Sequence, residues 1–231
     1  MQEDTGLNII AISIFTITMT VLVGPIFNIS PFVPATITFV ALSLVTVDTL
    51  AWQSQGVNLF VNLFASKEQK ERIIHHEAGH FFLAHLYEIP ILSYTLTPWE
   101  ALNAKIKNPA SGGVVFDTSF LQHQPKNVRD VNLTIENFGV VLMAGIAAEK
   151  IIYEDSQGGQ EDRQLFNSIY RDMGFQSLQS ETKQRFAILQ AKTIIEANKE
   201  SYLALVEAMR QRLSVNDCQQ IIRHKLLETT S

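Results

Sequence analysis

The residues best suited to chemistry are His76, Glu77 and His80, in the stretch Ile74-His75-His76-Glu77-Ala78-Gly79-His80-Phe81. On a helix, two histidines four apart fall one turn apart on one face. That spacing lets both imidazoles grip one tetrahedral metal ion. Glu77, directly after the first histidine, is placed to take a proton from water activated at the metal. Zinc lowers the pKa of such a water towards 7, so hydroxide becomes available near neutral pH. The motif supplies only two ligands. Cys218 is the single cysteine, which excludes an internal disulfide and any Cys-rich zinc site, so a third ligand must be His, Asp or Glu. His75 and His85 are expected to stand aside, the first on a polar helix face and the second packing on the helix.

The third ligand separates the classes of zinc protease. A metzincin requires Gly at 83 and His at 86, and both are Leu here. A thermolysin-like enzyme takes a glutamate from a following helix. Glu100 is the nearest, but it follows Pro98 in TPWEALN, a poor place for a rigid ligand helix. Glu149 sits in the apolar, small-residue stretch LMAGIAAEKIIYE. Asp162 follows a Gly-Gly loop, and Asp162, Leu165 and Ile169 share one face of the helix that the loop opens. An acid on a core-facing stripe needs a partner, because burying it alone is costly. Zinc is one such partner. Stabilising the helix start through its dipole is the other reading of Asp162, and spacing alone leaves the two equal.

The elements that position these groups come next. Ser66 with Gln69 fits a capping box, so a helix carrying the histidines starts there and stops before Pro90. Apolar stripes predict further amphipathic helices over Val128–Tyr153, Gln160–Met173 and Glu181–Leu213, the last broken near Asn198. A closing helix follows in SVNDCQQIIRHKL, capped by Ser214 or Asn216.

In order along the chain, HHEAGH, AGIAAEKIIY and GGQEDRQLF resemble the peptidase domain of FtsH, the membrane-bound zinc protease. The resemblance runs from about Lys67 to the C-terminus. The middle of the chain, ILSYTLTPWE to SGGVVFD, is similar to the family's short strand pair, and the tail to its closing helices. The resemblance implies Zn2+ held by His76, His80 and Asp162, with Glu77 as general base and Glu149 as a structural acid nearby. Two departures stand out. Ile146 replaces the family's usual arginine, and the chain carries no G-x-x-x-x-G-K-[ST] loop of an ATPase module.

Before Lys67 the composition changes. All 18 Lys and Arg lie at Lys67 or beyond, and no residue from Thr5 to Val47 is charged. Hydrophobic residues make up 46% of the chain and its mean hydropathy is +0.09. Leu7–Ile29 and Ala35–Trp52 are each long enough to read as membrane spans, since about 20 apolar residues cross a bilayer. The acidic start MQEDTG argues against a cleaved signal peptide. The alternative for the first segment is a buried β-hairpin, because ISIFTITMTV alternates with period two. Lys67, Lys70 and Arg72 put the following domain in the cytoplasm by the positive-inside rule. The expected fold is therefore mainly α. Residues 1–56 form a transmembrane helical hairpin, 57–66 a joint, and 67–231 an FtsH-like helical peptidase domain with a small β element. The expected setting is a bacterial inner or thylakoid membrane.

The implied activity is ATP-independent cleavage of loose or unfolded proteins. A substrate strand would add near Leu92–Thr97 or Gly113–Phe116. Two alternatives remain. One is a catalytically inactive FtsH-like scaffold or modulator of FtsH complexes; an FtsH-type partner or a homo-oligomer is the expected association. The other is an HtpX-like protease with Glu149 as the third ligand. The mild net charge of −5 and the lack of a basic stretch exclude nucleic acid as an expected partner.

Overall fold

The computed structural model describes residues 2–28, 30, 32–52, 66–103, 113–117, 119, 128–172, 174 and 177–230. The chain divides into two compact units. One comprises residues 1–65 and 97–112, the other residues 66–96 and 113–231.

In the first unit, α1 (Gln2–Val23) and α2 (Phe32–Trp52) flank a 3-10 turn at Gly24–Phe27. The N-terminal stretch is thus helical, and the period-two alternation of ISIFTITMTV does not make a hairpin. Thr16, Thr18 and Thr20 each bond back to the carbonyl one turn earlier at 2.8 Å. Such bonds satisfy the hydroxyl within the helix, so threonines do not disqualify it. The expectation of two transmembrane helices is corrected, and with it that of an integral membrane protein facing the cytoplasm. Among the described residues, no helix is long and apolar enough to cross a membrane. Residues 57–65 of the expected joint lie outside the described residues. The short helix α4 (Pro98–Asn103) also belongs to this unit.

The second unit is built around α3 (Lys67–Leu86) and α5 (Val128–Tyr153). Helix α3 begins as its sequence predicts. The Ser66 hydroxyl accepts the Gln69 N–H at 3.1 Å, and the Gln69 side chain accepts the Ser66 N–H at 2.8 Å. The two helices meet through small residues. A Cβ on Gly79 would stand 2.5 Å from the Ala144 carbonyl oxygen, and one on Gly145 would stand 2.5 Å from Nε2 of His76. Small residues at the crossing therefore set how closely the imidazole can lie against α5. Phe81, Phe82 and Leu83 continue α3 into the core with no exposed surface.

Between these helices, β1 (Ile91–Thr95) and β2 (Gly113–Phe116) form an antiparallel pair. Tyr94 pairs with Val114 and Thr95 with Gly113, and Leu92 is an extra residue between the paired Ile91 and Ser93. Helix α6 (Gln160–Asp172) follows α5 after a six-residue loop, Glu154–Gly159. Its buried face is Phe166 and Tyr170, while Leu165 is 46% exposed. The stripe containing Asp162 thus continues through Phe166 rather than Leu165. Helices α7 (Ser177–Ala197) and α8 (Lys199–Arg210) are broken at Asn198 as expected, and α9 (Val215–Thr230) closes the chain. The Asp217 N–H donates to the Ser214 hydroxyl at 3.2 Å, so Ser214 caps α9. Ile146, at the position where an arginine was expected from the resemblance, is fully buried. It lies beneath Gly159, where any Cβ would come within 2.3 Å of its Cγ1.

Candidate metal centre

His76 and His80 stand on the face of α3 turned towards α5 and α6, with ring centroids 4.8 Å apart. The tautomer of each is set by what its Nδ1 meets. His80 Nδ1 lies 2.7 Å from the Val141 carbonyl, which can only accept, so Nδ1 carries the proton and Nε2 is left with its lone pair. His76 Nδ1 lies 2.7 Å from Oε1 of Glu149, and an ionised carboxylate imposes the same choice. Both Nε2 atoms then face one oxygen. Oδ2 of Asp162 is 3.0 Å from Nε2 of His76 and 3.4 Å from Nε2 of His80. One ligand atom from each of His76, His80 and Asp162 lies within 4.8 Å of the others, and the three form a possible metal-binding group.

The charges at this centre favour a cation. Burial disfavours a charged His76, but the carboxylates of Asp162 and Glu149 on its two nitrogens outweigh that and push its pKa up to about 10. Burial likewise opposes a charge on His80, and Asp162 raises its pKa nonetheless. For Asp162, burial works against ionisation, but the two imidazoles hold its carboxyl well below the usual range. A proton or a metal ion could satisfy this demand. The chemistry of the donors, two imidazole nitrogens and one carboxylate oxygen with the other imidazole nitrogens already bonded, fits a three-ligand metal site and its outer supports.

Glu77 points to the strand pair. Its Oε2 accepts the Val114 N–H of β2 at 3.0 Å. Burial raises its carboxyl above the ordinary range, against the pull of the His80 and His76 charges. The bond from Val114 leaves Oε1 for other work.

Glu149 and Asp162, the two downstream acids, take different places. Glu149 sits at Nδ1 of His76, away from the nitrogen that faces Asp162, and its carboxylate also accepts the Gln157 and Gly158 N–H groups at 2.9 and 3.2 Å. Asp162 lies in the first turn of α6 and also faces both histidines, so its two readings coexist. Glu100 belongs to α4, in the first unit.

Several supporting groups escape a reading by motif. The Val141 carbonyl and the Val114 N–H are backbone groups and leave no mark in the sequence. His75 is not on a polar face. It is buried, its Nδ1 2.9 Å from the Tyr202 hydroxyl, which in turn donates to the His75 carbonyl at 3.0 Å. Arg72, expected as a flanking charge, is buried as well. Its signal was available, because it lies one turn before His76 on the same helix face.

No protein-family model matches the chain. No curated protein matches it either.

Proposed function

We propose that the chain is a zinc-dependent, ATP-independent endopeptidase of FtsH type that cleaves loose or unfolded proteins. The observation that carries this reading is the convergence of Nε2 of His76, Nε2 of His80 and Oδ2 of Asp162, with Glu77 next to the first ligand on the same helix. His76, His80 and Asp162 would hold the Zn2+. When bound, that ion supplies Lewis acidity to a scissile carbonyl and to the attacking water.

The protein's own groups account for the rest. Glu77 Oε1 takes a proton from the attacking water and passes it to the leaving amine. Its raised pKa suits a base that must also act as an acid near neutral pH. The Val114 N–H holds the other oxygen and so fixes the carboxylate beside the ligands. An extended substrate adding to the β1–β2 ladder would lie along the strand that holds Glu77. The position of Glu149 at Nδ1 of His76 favours Asp162 over Glu149 as third ligand, and so the FtsH-type arrangement over the HtpX-like one.

Zinc content of the purified chain, by elemental analysis, tests the ligand set. Asp162→Ala should empty the site. Zinc retained in that variant and lost only in Glu149→Ala would overturn it. Casein cleavage without ATP tests the chemistry, and Glu77→Gln should abolish it while keeping the metal. Undiminished cleavage in Glu77→Gln would remove Glu77 from the role of base. A wild-type protein that binds zinc yet cleaves no unfolded substrate would leave the scaffold reading.

A further inference from the structure

Of the three proposed ligands, His76 and His80 are fixed on α3, but Asp162 arrives on α6 after the loop Glu154–Gly159. The metal site is therefore only as well formed as that loop is well held. The loop leaves α5 through a left-handed residue, Glu154 at φ 67°, and reaches α6 through another, Gly159 at φ 88°. Its inner side is held by Glu149, whose carboxylate accepts the Gln157 and Gly158 N–H groups. Its outer side is held by Asp155. Oδ1 of Asp155 lies 2.7 Å from Nη1 of Arg72. The same guanidinium sits 4.1 Å over the Tyr153 ring and 3.7 Å from Oε2 of Glu149.

Arg72 is thus tied at once to the end of α5, to the loop and to the acid that supports His76. It stands on α3 one turn before His76, so it joins the element that carries two ligands to the loop that delivers the third. Its side chain is 10% exposed, whereas that of Asp155 is 57% exposed. The loop end of the contact can therefore be removed without opening the core.

We propose that Arg72 and Asp155 form a latch that positions Asp162 against His76 and His80, so that an exposed carboxylate touching no ligand governs how firmly the metal is held. This rests on the metal-site reading above. Arg72 and Asp155 are positioning residues. They act through the loop, as supports beyond the ligands of metal sites commonly do.

The test uses the full chain with Co2+ as the probe. Two quantities are read: release of Co2+ to a chelator, followed by its visible absorption, and hydrogen exchange of the loop amides without added metal. Asp155→Ala should release Co2+ about three to ten times faster than wild type, below the roughly 10–100-fold typical of a group bonded directly to a ligand. Exchange at the Gln157 and Gly158 amides should rise, while that of Val140–Ala148 in α5 stays as in wild type. Asp155→Glu, which keeps the carboxylate, should restore most of both. Release and loop exchange both unchanged in Asp155→Ala would overturn the latch. So would exchange rising equally along α5, which would mean a general loss of stability. If the wild type takes up no Co2+, the metal reading falls, and loop exchange alone decides the latch: protection unchanged in Asp155→Ala overturns it.

Discussion

Helices α1 and α3 are of similar length, 22 and 20 residues, and reverse the usual link between polarity and burial. After Asp4, α1 carries no charge and is rich in Ile, Phe, Leu and Val, yet Ile12, Phe15 and Leu22 are each at least 65% exposed. Helix α3 carries Lys, Arg, Glu and four histidines, yet Arg72, His75, His76 and His80 are buried in it. The difference lies in what meets each side chain. In α3 each buried nitrogen finds an acceptor: Asp155, Tyr202, Glu149 or the Val141 carbonyl. Among the described residues, no buried side-chain nitrogen or oxygen lacks a hydrogen-bond partner. Burying a polar group is costly only when it goes unpaired. The histidines of α3 can thus sit among Phe81, Phe82 and Leu83 without that penalty.

Substitutions can break this contrast or sharpen it. The largest effect should come from the apolar side of α3. Phe81→Ala should cost about 3–5 kcal/mol, because a fully buried ring leaves a cavity. Denaturant unfolding measures it, and a loss near zero would mean that the α3 core is not what holds the unit. Next is Gly145→Ala, whose added Cβ would fall 2.5 Å from Nε2 of His76. The ring must move, so metal should be lost with a smaller change in stability, about 1–3 kcal/mol for an overpacked core site. Full metal content in that variant would show that the close approach of α5 to His76 is not needed.

Glu149→Gln should weaken zinc binding about 10–100-fold, the usual effect of altering a direct support of a ligand. Competition with a chelator reads it. Undiminished affinity would reduce Glu149 to a packing residue. The pH dependence follows from His76, whose pKa is raised to about 10. Below that value a proton must leave His76 before its Nε2 can bind a metal. Affinity should therefore fall as pH falls, by about tenfold per pH unit for each proton displaced. Affinity flat between pH 6 and 8 would mean that no proton leaves His76 on binding, so that its pKa is not raised. The smallest effect belongs to α1. Phe15→Ala should change stability by less than about 0.5 kcal/mol, as at other exposed sites. A loss comparable to that of Phe81→Ala would show that the contrast between the two helices is false.

Much of the second unit was legible because its signals are local. The capping box at Ser66 and Gln69, the break at Asn198 and the cap at Ser214 each depend on residues within one turn. So does the placing of His76 and His80 on one helix face. The β pair, at Ile91–Thr95 and Gly113–Phe116, lies in the stretch where the resemblance implied a strand pair. The face of α6 was misread by one position, at Leu165 instead of Phe166, because a helical stripe is broad enough to admit either neighbour. Reading α1 and α2 as membrane spans relied on apolar length alone, and among the described residues no helix is long and apolar enough to cross a membrane.

By itself, the sequence determined the donor types, the absence of thiol ligands, the one-turn spacing of the histidines and the helix that carries them, since all of these depend on identity and short-range order. Whether Asp162 ligates or caps could not be settled that way. Its meeting with the histidines spans 86 residues, and it depends on small residues letting α5 approach α3 and on a loop held by Glu149 and Arg72. Tertiary structure alone brings it against both histidines while leaving it in the first turn of α6. It also put Glu149 on the far nitrogen of His76, the Val141 carbonyl behind His80 and the Val114 N–H on Glu77. Contacts at such range come from packing and backbone position, and no local spacing rule encodes them.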